Sequence, residues 1–238
     1  DRKLKENHIH LAIFCSPHNP SGRVWERWEL EKAMEVYEAN DCYVISDEIW
    51  ADLTFAGHRH IPTQMVNDWA KEHVIAAYAP SKTFNLAGLI GSFHIIYSTY
   101  LQDRICSYAY ATHYNEMNVL SMHALIGAYQ PQGYEWLEEL RTVLEENARY
   151  AVDFIRAHFA GIAVSPPQGT YMIFLDCTEY CMKSGKPIDK VIKEGWKVGV
   201  GWQDGRAFGG PCHIRMNLAS PRSRIEEAFE RLRKYVFL

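Results

Sequence analysis

The chain has 238 residues, of which 47% are apolar and 23% charged, with a formal net charge of −4. That length suits one large domain or a domain and a half, and the composition is that of an ordinary globular protein. No basic stretch dominates any segment, which argues against nucleic acid or an anionic membrane as partner. No run approaches the roughly 18 apolar residues of a membrane helix, and the N-terminal DRKLKENHIH has no apolar signal-peptide core.

Residues 8–15, HIHLAIFC, read as a short buried strand with no helix ahead of it, an abrupt start that suggests a truncated chain. The turn SPHNPSG follows, then a helix from about Trp25 to Asn40 with Leu30, Ala33, Met34 and Tyr37 at helical spacing. Residues 42–46, 74–78 and 91–97 read as three further strands. Strands alternating with helices indicate an α/β fold with a mainly parallel sheet. From Asn118 the pattern turns helical, Gly133 is expected to break it, and a long helix runs from about Tyr134 to His158. Strands at 170–176 and 212–218, a helix near 187–195 and a final helix capped at Ser220-Pro221 complete a smaller α+β unit. The core face of that last helix is Ile225, Phe229, Leu232 and Val236. The boundary is placed in the long helix, dividing the chain into 1–140 and 141–238.

Six scattered cysteines without a CxxC pair read as buried, reduced thiols of a cytosolic protein. The pairs His8/His10 and His58/His60 would share a strand face, but no Cys or carboxylate set completes a metal site with them. Cys177 and Cys181 have the wrong spacing for a zinc knuckle. YAYATHY at 108–114 reads as core or dimer interface.

Three polar residues each follow the end of a buried strand: Asn19, Asp47 and Lys82. In open α/β sheets the carboxyl ends of strands line the ligand crevice, so the three can converge. Each suits one need of pyridoxal 5′-phosphate chemistry. A lysine holds the aldehyde and shuttles protons, a carboxylate keeps the pyridine nitrogen protonated, and an amide bonds the ring 3-oxygen. Singly they have plainer readings: a turn asparagine, a helix-start carboxylate and a surface lysine. Arg215, in an apolar strand, needs a partner.

Together, SPHNPSGRVW, SDEIW and APSKTFNLAGL resemble the motifs of the class I/II pyridoxal phosphate aminotransferase superfamily, fold type I, over essentially the whole chain. Their wording is most similar to the carbon–sulfur β-lyase (cystathionine β-lyase) branch. The resemblance implies a partial large domain with a mainly parallel sheet, plus a C-terminal α+β small domain. It assigns Lys82 to covalent attachment of the cofactor and Asp47 to the pyridine nitrogen. It assigns Asn19 to the ring 3-oxygen, Ser81 to the phosphate and Arg215 to the substrate α-carboxylate. It implies a small amino-acid substrate and a cytoplasmic homodimer, and it brings Tyr114 near the active site.

The chain also departs from that pattern. Trp50 stands where many aminotransferases have a tyrosine, and an indole cannot titrate like a phenol. Ala79 and Ile90 replace the usual phosphate serine and arginine. The residues that normally precede the first strand, including a phosphate-cradling turn, are expected to be missing. Trp25 and SDEIWADL favour β-elimination of a cysteine S-conjugate. The alternatives are an aminotransferase of an apolar or aromatic amino acid and an inactive or regulatory protein.

Overall fold

Apolar runs centred on Val44 and Val74 become the interior strands of a four-stranded sheet. In this computed structural model, which describes residues 1–113 and 116–237, β1 (Leu11–Cys15), β2 (Tyr43–Asp47) and β3 (Val74–Tyr78) run parallel. β4 (Phe93–Ile95) joins antiparallel to β3, giving the order β1-β2-β3-β4. Residues 1–17 with 24–139 form one compact unit, and 18–23 with 140–238 a second.

In the first unit, α2 (Arg27–Glu38) is started by a reciprocal capping box between Glu26 and Glu29. Its Leu30 and Met34, four residues apart, are fully buried in a core with Val44, Val66, Ala70 and Val74. Each such side chain contributes about 1.5–3 kcal/mol by leaving water. Short α3 (Asp68–His73), capped by Asn67, leads directly into β3. α4 (Pro80–Thr83) follows β3, and α5 (Thr99–Thr112), α6 (Val119–Ala128) and α7 (Pro131–His158) come next.

Four expectations need correction here. A helix, α1 (Arg2–Asn7), does precede β1. It is held by Asp1–Lys5 and Arg2–Glu6 pairs and buries nothing, so it has no apolar stripe to reveal it. β1 is not buried on both faces: as the edge strand it leaves Leu11 and Ile13 56% and 76% exposed. Gly133 does not interrupt a helix but lies in the first turn of α7, where a Cβ would stand 1.8 Å from the Ala128 carbonyl oxygen. The aromatic segment is not core, since α5 buries no side chain and Tyr108 and Tyr110 are exposed. Tyr114 lies outside the described residues.

The second unit is built on an antiparallel sheet of β5 (Ala163–Val164), β6 (Met172–Asp176), β8 (His213–Asn217) and β7 (Gln203–Asp204), in that order. α8 (Thr178–Ser184), α9 (Ile188–Lys197) and α10 (Arg222–Tyr235) accompany it. Ile225, Phe229, Leu232 and Val236 are all buried, as the spacing of α10 predicts. The cap position of α10 is Pro221 rather than Ser220. Phe229 stacks on Phe159 with ring centroids 5.9 Å apart, and Phe159 meets Phe237 at 4.5 Å. Buried Asn147 donates from Nδ2 to the Leu218 and Ser220 carbonyls, tying α7 to the end of β8. All six cysteines are free: Cys42 and Cys177 are buried, but Cys106 is exposed, because α5 carries it on an uncovered face.

Candidate active site

In the first unit, Asp47 ends β2 and pairs in register with Ala77 of β3. Lys82 lies just past the end of β3, on the single turn of α4, with Ser81 before it. Asp47 and Lys82 therefore stand at the carboxyl ends of adjacent parallel strands. Both are half-buried. Asp47 Oδ1 accepts the Ile49 N–H at 3.2 Å. Among the described residues its Oδ2, the Lys82 amine and the Ser81 hydroxyl have no side-chain partner.

The turn bearing Lys82 is pinned by groups the sequence did not single out. Buried Thr83 donates its hydroxyl to Asp52 Oδ2 at 2.9 Å, and Tyr129 donates to the same oxygen at 2.9 Å. Burial, and then the Asp52 carboxylate, push the Tyr129 phenol well above its ordinary value. Asp47 is anchored through its neighbour. Glu48 is wholly buried and accepts from Ser46 Oγ at 2.9 Å, from the Thr63 N–H at 2.9 Å and from Tyr78 Oη, with His60 Nε2 at 2.7 Å. Burial alone would raise the Glu48 carboxyl, but His60, Tyr78 and Thr63 together outweigh it and hold it below the usual range. A cavity of about 370 Å³ lies here, lined in part by Glu48, Asp52, Tyr78, Ala79, Tyr129 and Tyr134.

The histidine pairs do not lie on strands. His8 ends α1 in a left-handed conformation, and His60 sits in a loop against Glu48 while His58 is exposed. Among the described residues no group of three or more His, Cys, Asp or Glu side chains is arranged to hold a metal ion, and no helix is long and apolar enough to cross a membrane.

In the second unit, Asn19 and Arg215 meet. Arg215 donates from Nη1 to Asn19 Oδ1 at 3.1 Å and from Nη2 to Gln203 Oε1, and its guanidinium lies 4.2 Å from the centre of the Phe208 ring. The cross-strand pair Gln203–Arg215 places the amide beside the fork. Burial lowers the guanidinium from its usual value, Tyr171 opposing, yet it stays charged at neutral pH. The Asn19 turn closes through His18 N–H to Arg23 O and Gly22 N–H to His18 O, both 2.8 Å. Gly22 has φ +69°, and a Cβ there would meet the Pro167 Cβ at 2.4 Å, so the turn requires glycine.

A family model for aminotransferase class I and II matches residues 1–232. The chain belongs to that family. It is 30% identical over 235 residues to cystathionine beta-lyase PatB of Bacillus subtilis, covering 98% of this chain and 60% of that protein. It is 29% identical over 256 residues to an aspartate aminotransferase of the same organism, covering 98% of this chain and 63% of that protein. Among solved structures it is similar to the PLP-bound C–S lyase from Staphylococcus hominis, at a TM-score of 0.87 and 30% identity, over 98% of this chain and 60% of that one. The fold is therefore fold type I, and the chain spans about 60% of the length of these relatives.

Pyridoxal 5′-phosphate is the cofactor of this family of enzymes. The described residues fit its ring side: an unpartnered half-buried lysine and a carboxylate with one oxygen to spare stand at adjacent strand ends. For the phosphate the fit is thinner. Ser81 offers a hydroxyl, Ala79 is buried, and Ile90 is exposed in a left-handed conformation, so neither supplies a donor side chain. Trp50 is buried in the core, which suits packing rather than a titrating role.

Proposed function

We propose that the protein is a pyridoxal phosphate-dependent carbon–sulfur β-lyase, releasing pyruvate, ammonia and a thiol from cystathionine or a related cysteine S-conjugate. The observation that supports this most is the placement of Asp47 and Lys82 at the ends of neighbouring parallel strands, in a chain similar to proteins named cystathionine beta-lyase and C–S lyase. In this reading residues 1–140 are the C-terminal part of the cofactor-binding large domain and 141–238 the small domain of a cytoplasmic homodimer.

Bound pyridoxal phosphate supplies an electron-accepting ring that stabilises negative charge at the substrate Cα. Lys82 attaches the cofactor, and its amine takes the Cα proton. Asp47 keeps a proton on the pyridine nitrogen, so the ring accepts electrons. Asn19 bonds the 3-oxygen, and Ser81 bonds the phosphate. Arg215 would fork onto the substrate α-carboxylate, which its planar guanidinium matches bidentately. The Asp52 clamp on Thr83 and Tyr129 keeps the Lys82 turn in place. The β-thiolate is a good leaving group, so elimination needs alignment and a proton for sulfur.

A second reading, an aminotransferase, uses the same side chains and is supported by the similarity to aspartate aminotransferase. The purified protein with cofactor should release pyruvate and a thiol from cystathionine without any 2-oxo acid. Amino transfer that requires a 2-oxo acid, with no thiol released, would favour the second reading.

A further inference from the structure

Arg215 carries its charge in the second unit without a negative partner. Strand register sets it opposite Phe174 of β6 on one side and Gln203 of β7 on the other. Its Nη1 donates to Asn19 Oδ1 at 3.1 Å and its Nη2 to Gln203 Oε1. The Phe208 ring, at the end of the short turn Gly205–Phe208, covers one face of the guanidinium with its centre 4.2 Å away. Among the described residues all of these partners are uncharged. The carboxylate of β7, Asp204, registers with Ile214 instead and accepts from Arg206 Nε at 2.8 Å. The nearby Tyr171 phenol, pushed up by burial against the pull of Arg215, stays neutral. A guanidinium has five N–H donors, and two are used here. A half-buried cation held only by neutral acceptors, with donors to spare, is an anion site left open.

We propose that Gln203 is a specificity-determining residue: its uncharged amide oxygen aims the Arg215 guanidinium without neutralising it, reserving that charge for the carboxylate of a small amino-acid ligand. The inference rests on the reading that Arg215 receives the substrate α-carboxylate. Gln203 is exposed, so its amide is not kept for packing in the core. A glutamate would fill the same space and accept the same hydrogen bond, so the fold does not demand an amide at this position. What the amide decides is the charge. A carboxylate there would close an ion pair with Arg215 and repel an incoming carboxylate. Asn19 supplies the second neutral acceptor. With Phe208 over one face, a ligand carboxylate meets the remaining N–H donors in the plane of the guanidinium, where a bidentate fork forms.

The test compares two stable cofactor adducts, N-(5′-phosphopyridoxyl)-L-alanine and N-(5′-phosphopyridoxyl)ethylamine, which differ only in the carboxylate. Isothermal titration calorimetry gives the Kd of each for the 238-residue chain. The unsubstituted chain should bind the alanine adduct at least about tenfold more tightly, the scale of one charge-assisted hydrogen bond. In Gln203→Glu that preference should vanish, while the Kd of the ethylamine adduct, which a general distortion of the site would shift, stays within about twofold. In Gln203→Met, which loses the hydrogen bond but remains neutral, the preference should fall by less. If Arg215→Gln abolishes the preference but Gln203→Glu keeps it, or if Gln203→Met and Gln203→Glu lose it equally, the inference is overturned and the reading of Arg215 stands. If the unsubstituted chain shows no preference for the alanine adduct, that reading falls together with the inference.

Discussion

His60 Nε2 lies 2.7 Å from Glu48 Oε2 in the interior of the first unit, one residue beyond Asp47. This pair, with Ser46, Thr63 and Tyr78, fixes the backbone from which the Asp47 carboxylate projects.

The Glu48 carboxyl is depressed in the folded chain and returns to about 4.3 on unfolding. A depressed carboxyl stabilises fully above its unfolded pKa, and that contribution is lost as pH falls through the folded value. Glu48→Gln should therefore be less stable at neutral pH by roughly 1–3 kcal/mol, the cost of an ill-matched buried hydrogen-bond set. The gap to the unsubstituted protein should narrow below about pH 4. Urea midpoints at both pH values check this, and a gap independent of pH would contradict it.

Gly133→Ala sets two effects against each other. Helix propensity alone favours alanine by about 1 kcal/mol. The new Cβ, however, would sit 1.8 Å from the Ala128 carbonyl oxygen, which is backbone and cannot swing aside. The clash should win, with a net loss of about 1–3 kcal/mol. A raised thermal midpoint would show that the α6–α7 junction relaxes freely.

Phe229→Ala removes a wholly buried ring that contacts Phe159, Phe154 and Tyr150. A cost of about 3–5 kcal/mol is expected from the lost burial and the cavity left behind. Denaturant unfolding measures it, and a loss below about 1 kcal/mol would mean the site collapses around the gap.

The parallel strands and the face of α10 were legible in the sequence because both obey simple periods. α1 was not, because its stability comes from charge pairs rather than an apolar stripe. The exposure of Leu11 and Ile13 was not, because composition cannot tell an edge strand from an interior one. Asp47 and Lys82 could be placed at strand ends from the chain order alone. The groups that hold them could not: His60 and Tyr78 lie 12 and 30 residues from Glu48, and Asp52 lies 31 and 77 from Thr83 and Tyr129. No local pattern announces such pairings. One hint was present, a glutamate in SDEIW directly after an apolar strand, which burial obliges to find partners.

Arg215→Lys keeps the charge but loses the planar fork that Asn19 and Gln203 orient. If Arg215 receives the substrate carboxylate, KM should rise about tenfold or more, the scale of one charge-assisted hydrogen bond, with a smaller change in kcat. Equal losses in kcat and kcat/KM would instead point to a contact made only in the transition state.

The central claim is that Lys82 carries the cofactor. Lys82 has no side-chain partner among the described residues, so Lys82→Ala should change stability by no more than about 0.5 kcal/mol. Borohydride reduction of the protein with pyridoxal phosphate, followed by peptide mass mapping, should place a stable phosphopyridoxyl label on Lys82 and none in Lys82→Ala. A label on any other lysine, or equal labelling of the variant, would contradict the account.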